Sequence, residues 1–124
     1  MNNSTIARTG SILYALVIGY FGLGHFLNAS AMSGIVPKFL PVHELLVYLA
    51  GAILVAAALA ILLNKYVKPA CLLLSALLII FVLTIHVPGL FNNSDPGMRA
   101  SITASLLKDA ALAGAALVIA GKGV

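Results

Sequence analysis

The sequence predicts an all-α integral membrane protein: a four-helix transmembrane bundle in up-down-up-down order. Three observations carry this. Hydrophobic residues make up 62% of the chain and charged residues 8%, whereas a soluble domain carries about 25% charge, and the mean hydropathy is +1.13. Four apolar runs, 9–28, 44–64, 69–86 and 99–120, are each long enough to cross a hydrocarbon core of about 30 Å at about 1.5 Å per residue. The runs lack the alternation of strands, and in lipid only helices and closed barrels satisfy the backbone. At 124 residues the chain reads as a single domain, 1–124.

The first run follows Arg8 and ends at Gly22-Leu23-Gly24-His25. A basic residue, an apolar run and the small residues Ala29-Ser30-Ala31 imitate a signal peptide, but the segment reads as a true first span. Gly19, Gly22 and Gly24 would let another helix approach. The connection 29–43 is long, largely apolar and holds Pro37 and Pro41. It reads as a segment lying in the membrane interface, with one short helical turn, or else as a plain surface loop. The second run opens on His43-Glu44, where a carboxylate suits the helix dipole. Lys65-Tyr66-Val67-Lys68 is so short that runs two and three must be antiparallel neighbours. Run three ends at His86, just before Pro88. In 91–97, Asp95 is a candidate N-cap and Pro96 suits a first helical turn. The last run carries Lys108 and Asp109, then the spaced small residues Ala110/Gly114 and Ala111/Ala115.

Basic residues set the expected orientation. Arg8, Lys65, Lys68 and Lys122 fall on one side, Lys38 and Arg99 on the other. Both termini are therefore expected in the cytoplasm. The net charge of +4 is spread over loops and helix ends, without the clustered basic patch of a nucleic-acid binder. Cys71 stands alone, which excludes a relay through cysteine pairs and leaves it as a small buried apolar residue.

With this orientation every histidine, the only glutamate and the Lys108-Asp109 pair fall in the outer half. A charge at mid-bilayer costs about 2.5–3.5 kcal/mol on insertion scales, so these groups should face protein, water or a ligand. Ser101, Ser105, Lys108 and Asp109 lie within an arc of about 100°, a face expected to point inward. The expected pocket is bordered by His25, Glu44, Tyr48, His86, Lys108 and Asp109. Plainer roles stand beside it. The histidines could meet headgroups, Glu44 could serve the helix dipole alone, and Lys108-Asp109 could be a structural ion pair or a ligand or redox-partner site. No His or carboxylate pair has the spacing of a strong metal motif, so no metal is expected. A quinone-like headgroup matches better, because its carbonyls need donors such as His or Lys. No haem, flavin or nucleotide motif is present, and no continuous polar path suggests a channel.

Gly22-Leu23-Gly24-His25-Phe26, Val36-Pro37, Leu40-Pro41, Val47-Tyr48-Leu49-Ala50-Gly51, Ile85-His86-Val87-Pro88 and the run from Leu107-Lys108-Asp109 to Gly114, in this order, resemble the DoxX family of small membrane proteins. The similarity runs from about Gly19 to Gly121. It implies four transmembrane helices and a bacterial inner (plasma) membrane. The family takes its name from a subunit of a thiosulfate:quinone oxidoreductase, and a distant vertebrate relative looks like an assembly factor for nicotinic receptors. The expectation is an auxiliary, redox-linked membrane protein holding a quinone-like or lipid headgroup. It would not be an enzyme on its own, though it could serve a membrane or soluble oxidoreductase partner, and homo-oligomers are compatible. The alternative is an assembly or chaperone-like factor for other membrane proteins. No catalytic residue is assigned.

Overall fold

The computed structural model describes residues 2–122, and among them every regular element is helical. Helix α1 spans Asn3–Leu27, the short α2 Ala29–Met32, α3 His43–Leu63, α4 Val67–Phe81, α5 Val87–Phe91 and α6 Pro96–Lys122. A 3₁₀ turn follows α2 at Ser33–Ile35, and a π turn at Val82–His86 joins α4 to α5. Four helical rods, Asn3–Leu27, His43–Leu63, Val67–Phe91 and Pro96–Lys122, are long and apolar enough to cross a membrane. They are compatible with a bundle.

Three of the rods, the first, third and fourth, are longer than the apolar runs by which the sequence defines them. Helix α1 starts at Asn3 because Asn2 caps it, its side-chain oxygen accepting from the Thr5 amide at 2.8 Å. An apolar run measures what can sit in lipid, not where helical hydrogen bonding begins. The third rod does not stop at His86. Pro88 has no amide to give the Thr84 carbonyl, which would normally end an α-helix. Here the backbone widens instead, and the Val87 amide bonds the Val82 carbonyl five residues back. The rod then continues to Phe91. The connection 29–43 contains a helical turn, α2, followed by the 3₁₀ turn. Asp95 caps α6, its carboxylate accepting from the Met98 amide at 2.9 Å.

Helix α1 lies along α3, α6 lies along α4, and α3 and α4 join the two pairs. Between α3 and α4 the chain turns through Asn64 (φ 56°) in a Schellman closure, the Lys65 amide bonding the Ala60 carbonyl at 3.0 Å. The core is drawn from Ala15 and Ile18 on α1, Leu54, Ala57, Ala58 and Ile61 on α3, Cys71, Leu74 and Leu78 on α4, and Ala113, Ala116, Ile119 and Ala120 on α6. Alanines supply much of it, so helix backbones can come close. Gly22 is the tightest point on α1. A Cβ there would lie 2.7 Å from a Val55 methyl and 3.0 Å from the Val55 amide nitrogen. Of the other sequence-marked small residues, Gly19 faces Ala58, whereas Gly24 and Gly114 face open space and Ala110 is exposed.

Two arginines hold the ends. The Arg8 guanidinium donates to the Ile61 and Leu62 carbonyls at 2.6 and 2.8 Å, satisfying the last turn of α3. Arg99 donates to the Leu90 carbonyl and, at 3.0 Å, to that of Asn93, closing the 92–95 turn. Both arginines lie inside helices rather than in loops. These carbonyls give each of them a local reason to be there.

Candidate functional site

Asp109 is the pivot of the polar cluster. It is 7% exposed although it sits on a helix whose neighbouring Lys108 side chain is half exposed. Its Oδ2 lies 2.7 Å from His86 Nε2. An ionised carboxylate only accepts, so Nε2–H donates. The π turn matters here: it carries His86 and changes the angular phase of the rod ahead of it. Asp109 Oδ1 stands 4.0 Å from Lys108 Nζ, a charge contact too long for a hydrogen bond. Nζ instead lies 4.7 Å from the centre of the Phe21 ring, a cation–π contact that ties α6 to α1.

His25 enters from α1. Its Nδ1 is 2.7 Å from the Phe21 carbonyl oxygen, and its ring lies nearly parallel to Phe81, with centroids 6.4 Å apart. Gly51 on α3 makes that position available. A Cβ at Gly51 would lie 2.7 Å from His25 Cβ and 3.1 Å from the Gly22 carbonyl oxygen. No other residue type fits there without moving α1.

These side chains border a cavity of about 380 Å³, within the usual range for small-molecule sites of about 300–1,000 Å³. Its ionisable lining is His25, His86, Lys108 and Asp109. The rest is almost wholly apolar, with Leu46, Ile53 and Leu77 from α3 and α4, and Met32, Val36 and Leu40 from the connection 29–43. The connection thus forms part of the wall. A second hollow between α1 and α6 is bordered by Gly10, Ser11, Tyr14, Ile119 and Lys122. Tyr14 spans from α1 to α6 there, donating to the Leu112 carbonyl at 2.7 Å.

Of the six expected pocket residues, the fold brings four together and leaves two aside. Glu44 is exposed at the start of α3. Tyr48 is 40% exposed and stacks on Phe26 at 5.8 Å, away from the cavity lining. They were expected inside, but helical spacing fixes which residues share a face and not which way that face turns. On α3 the face that meets α1 runs through Tyr48, Gly51, Val55 and Ala58, so Tyr48 turns to α1 and not to the cavity. The serine face of α6 is likewise corrected: Ser101 is exposed, and only Asp109 of the four is buried. Phe21 and Phe81 were not among the expected site residues. Phe21 had a signal, one turn before His25, whereas the place of Phe81 depends on how α4 packs. Among the described residues no three of His, Cys, Asp and Glu come together as a metal ion would need.

No curated protein and no solved structure matches the chain significantly. The model of the family described as Domain of unknown function (DUF8561) matches residues 14–120, and the chain belongs to that family.

Proposed function

We propose that this is a membrane-embedded binding protein whose cavity takes the headgroup of a quinone-like molecule, serving as an auxiliary, redox-linked subunit of a bacterial inner membrane. One observation carries the reading: a cavity with an almost wholly apolar wall gathers His25, His86, Lys108 and Asp109 from three separate rods. That combination suits an amphiphile with a small polar head. Lys108 Nζ is a donor suited to a ring carbonyl, the two imidazoles suit a headgroup that gains and loses protons, and the apolar wall suits an isoprenoid tail. The redox link rests on the resemblance to the DoxX family read from the sequence alone. Such a molecule would bring the redox chemistry; the chain's part is to bind and orient it.

The same reading places the four rods across the bilayer in up-down-up-down order, with both termini cytoplasmic. Their length and hydropathy support it. So does the contact of Arg8, near the start of α1, with the end of α3. Even without the two arginines, Lys65, Lys68 and Lys122 outweigh Lys38.

The test is native mass spectrometry together with solvent extraction of protein purified in mild detergent. A co-purifying quinone, and a raised unfolding temperature when one is added back, are the expected results. Protein that carries none and gains no stability from any added quinone would refute the proposal. A second reading, engagement of a partner's transmembrane helix, is favoured by the exposed small residues Ala110, Ala111 and Gly114 beside half-exposed Lys108. Crosslinking in membranes, with loss of the adduct in Lys108→Ala, would favour it.

A further inference from the structure

We infer that the cavity is built to receive a hydroxyl group of its ligand, with His25 Nε2 as the accepting atom. This rests on the reading above, that the cavity holds the headgroup of a membrane-dissolved molecule. His25 Nδ1 lies 2.7 Å from the Phe21 carbonyl oxygen. A carbonyl only accepts, so Nδ1 holds the proton, and in the neutral ring Nε2 presents a lone pair. Nε2 has no hydrogen-bond partner among the described residues, yet no side-chain nitrogen or oxygen there is both sealed from solvent and unpaired. Nε2 is therefore open to an incoming group, on a ring that lines the cavity.

The other polar atoms are largely committed. His86 Nε2–H and Asp109 Oδ2 occupy one another at 2.7 Å, leaving His86 Nδ1 as a second bare acceptor in the neutral ring. The Thr84 hydroxyl donates to the Ile80 carbonyl at 2.7 Å. Lys108 Nζ is the available donor, held only by the Phe21 face and the distant Asp109 Oδ1. The set thus offers one donor and an excess of acceptors. A quinone carries carbonyls, which only accept; it can use Lys108 but leaves His25 Nε2 unmatched. A quinol carries hydroxyls, which both donate and accept, so it can use both. A hydrogen bond formed in place of a desolvated, unpaired acceptor corresponds to about a tenfold change in affinity. The structure therefore assigns the reduced, hydroxyl-bearing ring as the preferred ligand.

The test compares a decyl-substituted benzoquinol, the matching benzoquinone and the dimethyl ether of the quinol. Binding to the detergent-purified chain is measured without oxygen, with concentrations referred to the micellar phase. Farnesol and its methyl ether form a second pair, which separates an aliphatic hydroxyl from an aromatic one. The quinol should bind about tenfold more tightly than the quinone or the ether. His25→Phe, which keeps a ring against Phe81, should bring the three to parity. Equal binding of all three to the wild-type chain overturns the inference but leaves the headgroup reading intact. Binding of none of them, farnesol included, overturns both. A farnesol preference over its ether that exceeds the quinol preference keeps the hydroxyl inference and moves its source to a polyprenol. A quinol preference that survives His25→Phe overturns the role given to His25. Should that variant fail to fold, the wild-type comparison still decides.

Discussion

Leu74 and His86 sit on the same helical rod, Val67–Phe91, in contrasting surroundings. Leu74 is wholly buried among alanines and branched residues of all four long helices. His86 borders a cavity of about 380 Å³. Both regions are built mainly from apolar residues, so hydropathy does not separate them. Side-chain size does. The core cluster that holds Leu74 includes Ala15, Ala57, Ala58, Ala113 and Ala116, which let helix axes draw together. Around His86 the wall is mainly leucine, isoleucine, valine and phenylalanine, and it leaves a space unfilled. In a membrane the gain from helix association is chiefly packing, since lipid is already apolar. A region that gives up packing is therefore left weak unless polar contacts tie it together. Here the ties are His86–Asp109 and Lys108–Phe21.

The contrast can be broken most directly by truncating a leucine on each side. Leu74→Ala should cost about 2–4 kcal/mol, because it opens a void where neighbours are fixed. Leu46→Ala, on the cavity wall, should cost below about 1 kcal/mol, because its side chain already faces space on one side. Reversible unfolding in detergent, followed by circular dichroism, compares them. Similar losses would mean that the cavity region is as tightly coupled as the core.

The crossing of α1 and α3 sharpens the comparison at the boundary. Gly51→Ala should cost about 1–3 kcal/mol through overpacking, since its new Cβ meets His25 Cβ at 2.7 Å. Gly24→Ala, in open space, should be neutral or stabilising by up to about 1 kcal/mol. The Gly51 variant should also lose ligand-induced stabilisation, because it displaces His25. A variant that loses stability and keeps ligand binding would uncouple His25 from the helix crossing.

Much of this molecule was legible in the sequence, and the limits have physical causes. The four apolar runs located the four rods, because a run of nonpolar residues of membrane length has few alternatives to a helix. Asp95 and Pro96 announced the start of α6 for an equally local reason: an acceptor followed by a residue without an amide. His86 and Asp109, far apart in the chain, were grouped correctly because successive rods bring their ends together. Glu44 and Tyr48 were misplaced because facing depends on the rotation of α3, set by the fit of Gly22 against Val55 and of Gly51 against His25. The π turn was not legible either. Pro88 signals a break, and only the packed rod shows that the backbone widens instead of stopping.

The polar tie itself comes next in size. Asp109→Asn removes the charge that faces His86 and Lys108 but keeps an oxygen for Nε2–H. It should cost about 1–2 kcal/mol. Replacing both Asp109 and His86 by leucine should cost less than Asp109→Leu alone, because no buried partner is left unpaired. The double-variant cycle reads this directly. Additive losses would show that the pair does not act as a unit, and the weakness of the cavity region would then need another tie.

The smallest expected effect concerns where strain sits. Val42, just before α3 at the cavity end, has φ 48° and ψ 55°, a left-handed conformation that a β-branched residue adopts at a cost of about 1–3 kcal/mol. Its side chain is 60% exposed, so little packing offsets that strain. Glycine relieves it but gives back about 0.5–1 kcal/mol through the entropy of the unfolded chain. Val42→Gly should therefore stabilise by up to about 1 kcal/mol. At the other end Asn64 has nearly the same angles, φ 56° and ψ 42°. Asparagine tolerates them, so Asn64→Gly should change stability by less than about 0.5 kcal/mol. Thermal unfolding of the two single variants decides between them. If Val42→Gly stabilises while Asn64→Gly does not, the start of α3 carries strain that its end does not. If Val42→Gly destabilises, the start of α3 is held by contacts of the valine side chain, and the two ends of that helix differ in packing alone.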